Sequence, residues 1–356
     1  MSRRRRLLGA LGGAVGLAAA GTAVNLLRQQ RSVSVDAGES VPLGSLRTPG
    51  RTVVADDGLP LHVEVDDVEE RSGRRHGVTP PVTVVFIHGY CLNLDTWHFQ
   101  RAAYRGLVRT VYYDQRSHGR SGRSDREHAT IEQLGHDLRA IIDQVVPDGP
   151  VVLVGHSMGG MTIVALAEAY PELIGTKVIG VGLISTTAGG LDPSRILIPL
   201  LPARLTNRAT LRAVRTLAHG HAAVDQVRRV GRYIANAATS RFAFGGDVPH
   251  SYVSFVDDML SATPFEVVAD FFPSFDSLDK FDFVEGLDEV PVSIICGTAD
   301  KLTSIGHSRK LHVRIPGSRL LECDGAGHMV PFERHDQVNA ELDQLITAAT
   351  TRAATR

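Results

Sequence analysis

Short, nearly continuous aliphatic runs recur along the chain and alternate with longer amphipathic segments. Each run has the length of an ordinary strand and little polar interruption, which is typical of strands buried on both faces of a sheet. The predicted strands lie at residues 82–87, 108–113, 151–154, 178–184, 290–296 and 318–323. The predicted helices lie at about 95–105, 129–146, 161–169 and 335–348. This alternation predicts an α/β fold with a mostly parallel central sheet and helices on both of its faces.

Two further strands precede this alternation and form a predicted hairpin. Residues 51–55 and 59–65 flank Asp56-Asp57-Gly58, and an Asp-Gly pair between two strand-like segments favours a tight turn. Residues 32–50 and 66–81 contain Pro, Gly or charged residues without periodicity. They are predicted to be a linker and an exposed loop.

The alternation stops between residues 186 and 272, where the pattern is helical and contains no buried strand. Prolines mark the edges of helices predicted over 205–219, 222–238 and 265–271. We therefore divide the chain into a core of residues 32–185 and 273–356, and an insertion of residues 186–272, called the insertion below. The sheet pattern returns after the insertion.

Residues 1–31 differ from everything that follows. Four arginines at positions 3–6 precede an apolar run over residues 7–27. A basic start, a weakly apolar centre and small residues predict a cleaved export signal of the twin-arginine type. A run of this length also suits an uncleaved membrane anchor, with the rest of the chain outside the cytoplasm. The sequence thus predicts a secreted or an outward-facing anchored protein; a soluble tail is disfavoured because the run has no polar face.

Charge and cysteine content argue against a nucleic-acid partner, a disulfide framework and a zinc site. The formal net charge is −1, so no basic field is available for a nucleic-acid partner. Cys91, Cys296 and Cys323 form neither a disulfide framework nor the paired spacing of a zinc site. We expect these cysteines to be buried small hydrophobes or unreactive thiols. No metal site is predicted.

The most informative motif follows the strand at 151–154. Gly155-His156-Ser157-Met158-Gly159 has the spacing G-x-S-x-G and stands between a buried strand and a helix. A sharp strand-to-helix turn strains its corner residue and exposes that side chain, here Ser157, as a nucleophile. Gly155 and Gly159 would be small because the turn brings backbone segments together. The alternative is a glycine-rich turn whose serine only caps the helix.

Candidate partners for Ser157 lie after two later strands. His328, in Gly325-Ala326-Gly327-His328, is the candidate base, and Asp300, in Gly297-Thr298-Ala299-Asp300, is the candidate acid that orients it. Asp300 could instead be a turn-forming residue. His88, His118 and His156 are rivals as base, but His156 should point away from the turn, and the other two should brace the site by hydrogen bonds.

An oxyanion needs donors, and backbone N–H groups are the expected ones. Met158 follows the nucleophile at a helix N-terminus, where the helix dipole also favours negative charge. Tyr90 follows His88-Gly89 in the loop after its strand and would supply the second N–H group. His88, Gly89, Gly155 and Gly159 are therefore predicted to support the site.

Together these segments resemble the α/β-hydrolase-fold serine hydrolases of the esterase/lipase and cofactor-free haloperoxidase-like group. The motifs that carry the resemblance are His88-Gly89-Tyr90, Asp114-Gln115-Arg116-Ser117-His118-Gly119-Arg120-Ser121, residues 155–160, residues 297–300 and residues 325–328. The resemblance covers roughly residues 51–346. It implies a triad of Ser157, Asp300 and His328 in the chain order of this fold, and a helical lid formed by the insertion. Ser117 departs from the family, which usually has Gly there.

The predicted function is hydrolysis of a small-molecule ester, with an apolar acyl part suggested by the apolar residues of the insertion. No cofactor or metal is needed for this chemistry. One alternative is peracid formation by the same triad, as in haloperoxidase-like relatives. Another is a non-catalytic extracytoplasmic binding protein on the same fold. Relatives that use an Asp nucleophile, such as epoxide hydrolases, are disfavoured by Ser157.

Overall fold

The aliphatic runs form one eight-stranded sheet. A computed structural model describes residues 40–69, 82–192 and 242–355. The strands are β1 (Arg51–Val54), β2 (Pro60–Asp66), β3 (Thr83–Ile87), β4 (Arg109–Tyr113), β5 (Val151–His156), β6 (Val178–Ile184), β7 (Val292–Gly297) and β8 (Arg319–Cys323). Their order across the sheet is β1-β2-β4-β3-β5-β6-β7-β8. Strands β3 to β8 pair in parallel, whereas β2 pairs antiparallel with both β1 and β4.

The helices of the described residues cover both faces of this sheet. They are α1 (His98–Tyr104), α2 (Ile131–Val145), α3 (Met158–Ala169), α4 (His250–Ala262), α5 (Phe265–Asp276), α6 (Ile305–Arg314), α7 (Val330–Glu333) and α8 (His335–Thr355). Thr130 caps α2 by accepting a hydrogen bond from the Gln133 N–H group.

Strand β3 shows how the sheet divides the core. All five of its residues are buried, and they alternate between the faces because the side-chain period of a strand is two. Val85 and Ile87 pack with the apolar residues of α2 and α3. Val84 and Phe86 pack on the other face, where α1 and α8 supply the apolar partners. A sheet covered twice in this way explains why its strands are aliphatic runs and not alternating sequences.

Three helices were not predicted individually, and the end of a fourth lies beyond its predicted position. Helix α4 lies in the stretch that was predicted to be helical only as a whole. Only Ser308 and Leu311 of α6 are buried, so its apolar periodicity is too weak to read from the sequence. Helix α7 is a single turn beside the last strand. Helix α5 continues through Pro273 to Asp276, so the boundary drawn between residues 272 and 273 falls inside a helix.

Several predictions concern residues outside the described ranges. They are the N-terminal segment of residues 1–31 and the helices at 205–219 and 222–238, which therefore stay predictions. Of the insertion, residues 186–192 and 242–272 are described, and α4 and the start of α5 lie there. No helix within the described ranges combines the length and apolarity that crossing a membrane requires.

A buried ion pair fastens the loop after β4 to helix α2. The Arg116 guanidinium donates two hydrogen bonds to the Asp137 carboxylate, at 2.7 and 2.6 Å, and both side chains are almost fully buried. Arg116 also contacts Asp57 at 2.8 Å and the Ser124 hydroxyl at 3.1 Å. Removing one member leaves the other charge under-compensated in the interior, which is strongly destabilising.

We expect Asp137→Ala to lower the free energy of unfolding by about 3 kcal/mol, because Arg116 would lose its bidentate partner. Asp143→Ala on the same helix is the control, since Asp143 pairs with Arg139 at the surface and its loss should cost less than about 1 kcal/mol. Urea denaturation of the two variants measures the difference. Equal effects would mean that the buried pair adds no more stability than a surface pair.

Candidate active site

The turn after β5 has the geometry that the G-x-S-x-G spacing predicts. Ser157 has φ +52° and ψ −118°, a strained conformation for a residue with a side chain. A Cβ atom on Gly155 would lie 2.3 Å from the carbonyl oxygen of Gly159, and one on Gly159 would lie 2.2 Å from that of Ile87. The two glycines are therefore required by close backbone approach, as expected.

Hydrogen bonds on both sides hold the strained residue. The Ser157 N–H group donates to the Ile184 carbonyl at 2.9 Å, and the Thr186 hydroxyl donates to the Ser157 carbonyl at 2.6 Å. The Ser157 side chain makes no capping bond to α3, so the interpretation as a mere helix cap finds no support. Ser157 is partly exposed although its neighbours in the turn are buried.

His328 and Asp300 form a buried pair at the carboxyl ends of β8 and β7. His328 Nδ1 lies 2.9 Å from Asp300 Oδ2, and the residues are 7% and 5% exposed. Asp300 Oδ1 accepts the N–H groups of Leu302 and Thr303 at 2.8 and 3.0 Å. Burial alone would raise the pKa of Asp300, but the charge of His328 and these hydrogen bonds outweigh it and lower that pKa.

Thr303, which was not predicted from the sequence, contacts both members of this pair. Its hydroxyl lies 3.0 Å from Asp300 Oδ2, 2.8 Å from the Ser185 carbonyl and 3.3 Å from His328 Nδ1. It therefore bridges the end of β6 to the carboxylate. The ionised Asp300 accepts the Nδ1 proton of His328, which leaves the other ring nitrogen, Nε2, free to exchange a proton.

The loop after β3 is braced by a neutral histidine. His88 is fully buried, and burial lowers its pKa to about 4. Its Nδ1 donates to the Gly89 carbonyl at 2.7 Å, while its Nε2 accepts the N–H group of Gln115 at 2.9 Å. A Cβ atom on Gly89 would lie 2.9 Å from His156 Nδ1 and 3.1 Å from Ser157 Cβ, so this loop lies directly against the turn.

The two expected oxyanion donors are available. Tyr90 follows this loop and Met158 begins α3, and among the described residues neither backbone N–H group donates to a protein acceptor. The Tyr90 hydroxyl donates to the Val268 carbonyl of α5 at 2.7 Å, and its ring lies edge-on to Phe275 with centroids 4.8 Å apart. Tyr90 and Met158 therefore adjoin an apolar cluster to which the start of α2, α3 and α5 all contribute.

The two other histidines near the turn, His118 and His156, are buried and hydrogen-bonded to backbone carbonyls. Burial lowers the pKa of both His118 and His156 to about 3, so both are uncharged near neutral pH and keep a single ring N–H group. His118 Nδ1 donates to the Arg116 carbonyl at 2.8 Å. His156 Nε2 donates to the His328 carbonyl at 3.0 Å, which ties the residue before the nucleophile to the backbone of the candidate base.

The remaining sequence expectations concern cysteines and Ser117. All three cysteines are free and buried, and burial raises the pKa of Cys91 and Cys296 to about 12 and that of Cys323 to about 11, so they are unreactive thiols as predicted. Ser117 has φ +65°, a conformation that favours the glycine usual in the resembled family. Its hydroxyl accepts the Ser124 N–H group at 2.9 Å and so supports the loop.

The buried histidines make stability depend on pH. An unfolded histidine takes up a proton below about pH 6.5, whereas His118 in the folded state does so only near pH 3. As the pH falls, the unfolded state therefore binds more protons than the folded state. The free energy of unfolding drops by about 2 kcal/mol per such histidine between pH 7.5 and pH 5. We expect His118→Asn, which keeps a donor for the Arg116 carbonyl, to reduce this loss by about 2 kcal/mol.

Urea denaturation at the two pH values measures the change. His128→Asn is the control, because His128 lies at the surface with Asp125 and lacks the burial that lowers a histidine pKa. That variant should not reduce the loss. An undiminished loss in His118→Asn would show that His118 does not stay neutral in the folded protein.

Comparison with known proteins places the fold in a family. A family model described as "Alpha/beta hydrolase family" matches residues 84–341. An uncharacterized protein of Mycobacterium tuberculosis is 28% identical over 273 residues, which are 73% of this chain and 73% of that protein. A lipase of the same organism is 33% identical over 123 residues, 35% of this chain and 44% of the lipase.

Solved structures agree with this match. The enol-lactonase from Burkholderia xenovorans LB400 has a TM-score of 0.63 and 27% identity, covering 84% of this chain and 100% of the lactonase. An esterase from Exiguobacterium antarcticum has a TM-score of 0.64 at 17% identity, covering 84% and 99%. At that identity the esterase shows likeness of fold alone. The predicted α/β-hydrolase fold is confirmed, and since the family match spans more than half of the sequence, the chain belongs to the alpha/beta hydrolase family.

Proposed function

We propose that the protein is a serine hydrolase that cleaves ester bonds through an acyl-enzyme. The observation that carries this proposal is the buried His328–Asp300 contact of 2.9 Å at the same sheet edge as the strained Ser157 turn. A nucleophile, a base, an acid that orients the base and free oxyanion donors are the parts that acyl transfer needs. All four have a candidate here, and relatives named as lipases and an enol-lactonase, whose substrate is a cyclic ester, support ester chemistry.

The proposed mechanism assigns one task to each residue. Ser157 Oγ attacks the ester carbonyl while His328 Nε2 takes its proton. Asp300 accepts the hydrogen bond from the Nδ1–H group of His328 and stabilises the imidazolium. The N–H groups of Tyr90 and Met158 donate to the oxyanion of the tetrahedral intermediate. His328 then protonates the leaving alcohol, and water activated by His328 releases the acid from Ser157.

The surroundings of the oxyanion donors favour an apolar acyl group. Tyr90 and Leu191 are partly exposed and pack against the buried cluster of Met158, Phe271 and Phe275. Ligand sites of this kind are mostly apolar with a few polar groups that fix orientation. Phe271 and Phe275 themselves are fully buried, so they support the wall of the site and are not its exposed surface.

The proposal is tested by labelling the full-length protein with a fluorophosphonate and locating the modified residue by mass spectrometry. We expect the label on Ser157, and we expect Ser157→Ala to abolish both labelling and ester hydrolysis while the circular dichroism spectrum stays that of the folded protein. His328→Ala should slow both by a factor of at least about 10³, since the triad acts as a unit.

A folded protein that takes no label and hydrolyses no ester would overturn the proposal and favour the binding-protein alternative. Label on Ser157 combined with peracid formation from acetate and peroxide, without ester hydrolysis, would favour the perhydrolase alternative. Ser304→Ala is a suitable control, because Ser304 lies outside the proposed triad and should leave the labelling rate unchanged.

The apolar acyl site predicts a chain-length series. Burying one CH₂ group is worth about 0.8 kcal/mol, so kcat/KM for p-nitrophenyl esters should rise about fourfold per carbon from acetate to butyrate. Initial rates on the three esters measure this. A flat or falling series would contradict an apolar acyl site and would leave the nucleophile assignment intact.

A further inference from the structure

Glu333 is a half-buried carboxylate next to the candidate base that the proposed mechanism does not use. Its Oε1 accepts the N–H group of Gly327 at 2.7 Å, and its Oε2 accepts that of Gly245 at 3.0 Å. Gly327 directly precedes His328, whereas Gly245 belongs to the final segment of the insertion. Burial raises the pKa of Glu333, although the two N–H groups favour its ionised form.

The two segments that Glu333 joins are in direct backbone contact. A Cβ atom on Gly327 would lie 2.4 Å from the Gly245 nitrogen, and a Cβ atom on Gly245 would lie 2.2 Å from the carbonyl oxygen of Gly325. Neither position therefore tolerates a side chain without a backbone shift. The carboxylate is the group that satisfies both N–H donors at this junction, which has no regular secondary structure to do so.

The other side of His328 is tied to the same segment. The Met329 N–H group donates to the Ala243 carbonyl at 2.8 Å. Phe244 is buried and packs with Met329 and Phe332. Both chain neighbours of His328 are thus held through residues 243–245, one by a backbone bond and one through the Glu333 carboxylate.

We propose that Glu333 is a positioning residue, which holds the His328 loop against residues 243–245 and so keeps the imidazole aligned for proton transfer. This proposal rests on the proposed function, since it assumes that His328 is the base. An amide at this position has one oxygen to accept and one NH₂ group that opposes the second N–H donor. Glu333→Gln should therefore break one of the two ties with almost no change of volume.

Misalignment of His328 has a chemical signature. An alkyl ester needs His328 to protonate its leaving alkoxide, whereas p-nitrophenolate leaves with little help because it is a far weaker base. A displaced imidazole therefore slows an alkyl ester more than a p-nitrophenyl ester. A general loss of folded protein would slow both by the same factor.

The experiment compares full-length wild type with Glu333→Gln on p-nitrophenyl butyrate and ethyl butyrate, with active sites counted by fluorophosphonate labelling. We expect kcat/KM per active site to fall about tenfold for the ethyl ester and about threefold or less for the p-nitrophenyl ester, since this ratio reports formation of the butyryl-enzyme, the step in which the two leaving groups differ. Glu322→Gln is the control, because Glu322 pairs with Arg309 at the surface and should leave both rates unchanged.

A second pair of variants tests the junction from the insertion side. Gly245→Ala forces the backbone apart, whereas a Cβ atom on Gly246 meets no atom within 4 Å. We expect Gly245→Ala to reproduce the greater loss on the ethyl ester and Gly246→Ala to behave as wild type. If Gly245→Ala does not fold, the Glu333→Gln comparison alone decides.

Equal losses on the two esters, or no loss, in Glu333→Gln would overturn the positioning role and leave the proposed function standing. A wild type without label on Ser157 and without ester hydrolysis would overturn the proposed function and this proposal with it. The two failures are therefore distinguishable from the wild-type measurements alone.

Discussion

The backbone turn at Ser157 is the constraint on which the rest of this molecule depends. It places a residue with a side chain at φ +52°, a strained conformation that must be compensated. The compensation comes from its surroundings. Strand β5 lies at the centre of the sheet and is fully buried, and α3 behind the turn is buried along most of its length. A corner held between two such elements keeps its strained conformation because relaxing it would disturb both.

The same constraint extends to the neighbouring strands. Gly159 lies against the end of β3 at Ile87, and the N–H group of Ser157 donates to the end of β6 at Ile184. The turn therefore fits only if β3, β5 and β6 end at the same level, which their parallel registers provide. The loops after these ends contain backbone groups without a ladder partner, and buried side chains satisfy several of them. His88 and His156 act in this way, and His88 can accept the N–H group of Gln115 because its ring is neutral.

Elements that restrict the residue types of a short stretch of chain were predictable from the sequence. Doubly covered strands must be aliphatic, so β3 to β6 were predicted within one or two residues of their ends. The turn at Ser157 requires glycines at fixed spacing, and its motif was recognisable for that reason. Helix α6 was not predicted, because its exposed residues outnumber the buried ones and leave no clear apolar periodicity. The bonds of Thr303 with Ser185 and of Glu333 with Gly245 join residues far apart in the chain, and no local pattern encodes such a pair.

The core and the insertion support different parts of the candidate site. The candidate nucleophile depends mainly on the core, since the elements around Ser157 are the central strands and α3, and Thr186, the first residue of the insertion, adds one hydrogen bond to its carbonyl. The environment of the candidate base is different, because residues 243–245 of the insertion hold both chain neighbours of His328. The insertion is also the part that the family resemblance predicts to be a lid, and its apolar residues suggested the apolar acyl part of the substrate. If the two proposals hold, a sequence change in the insertion that shifts Gly245 also shifts the candidate base His328 through Glu333.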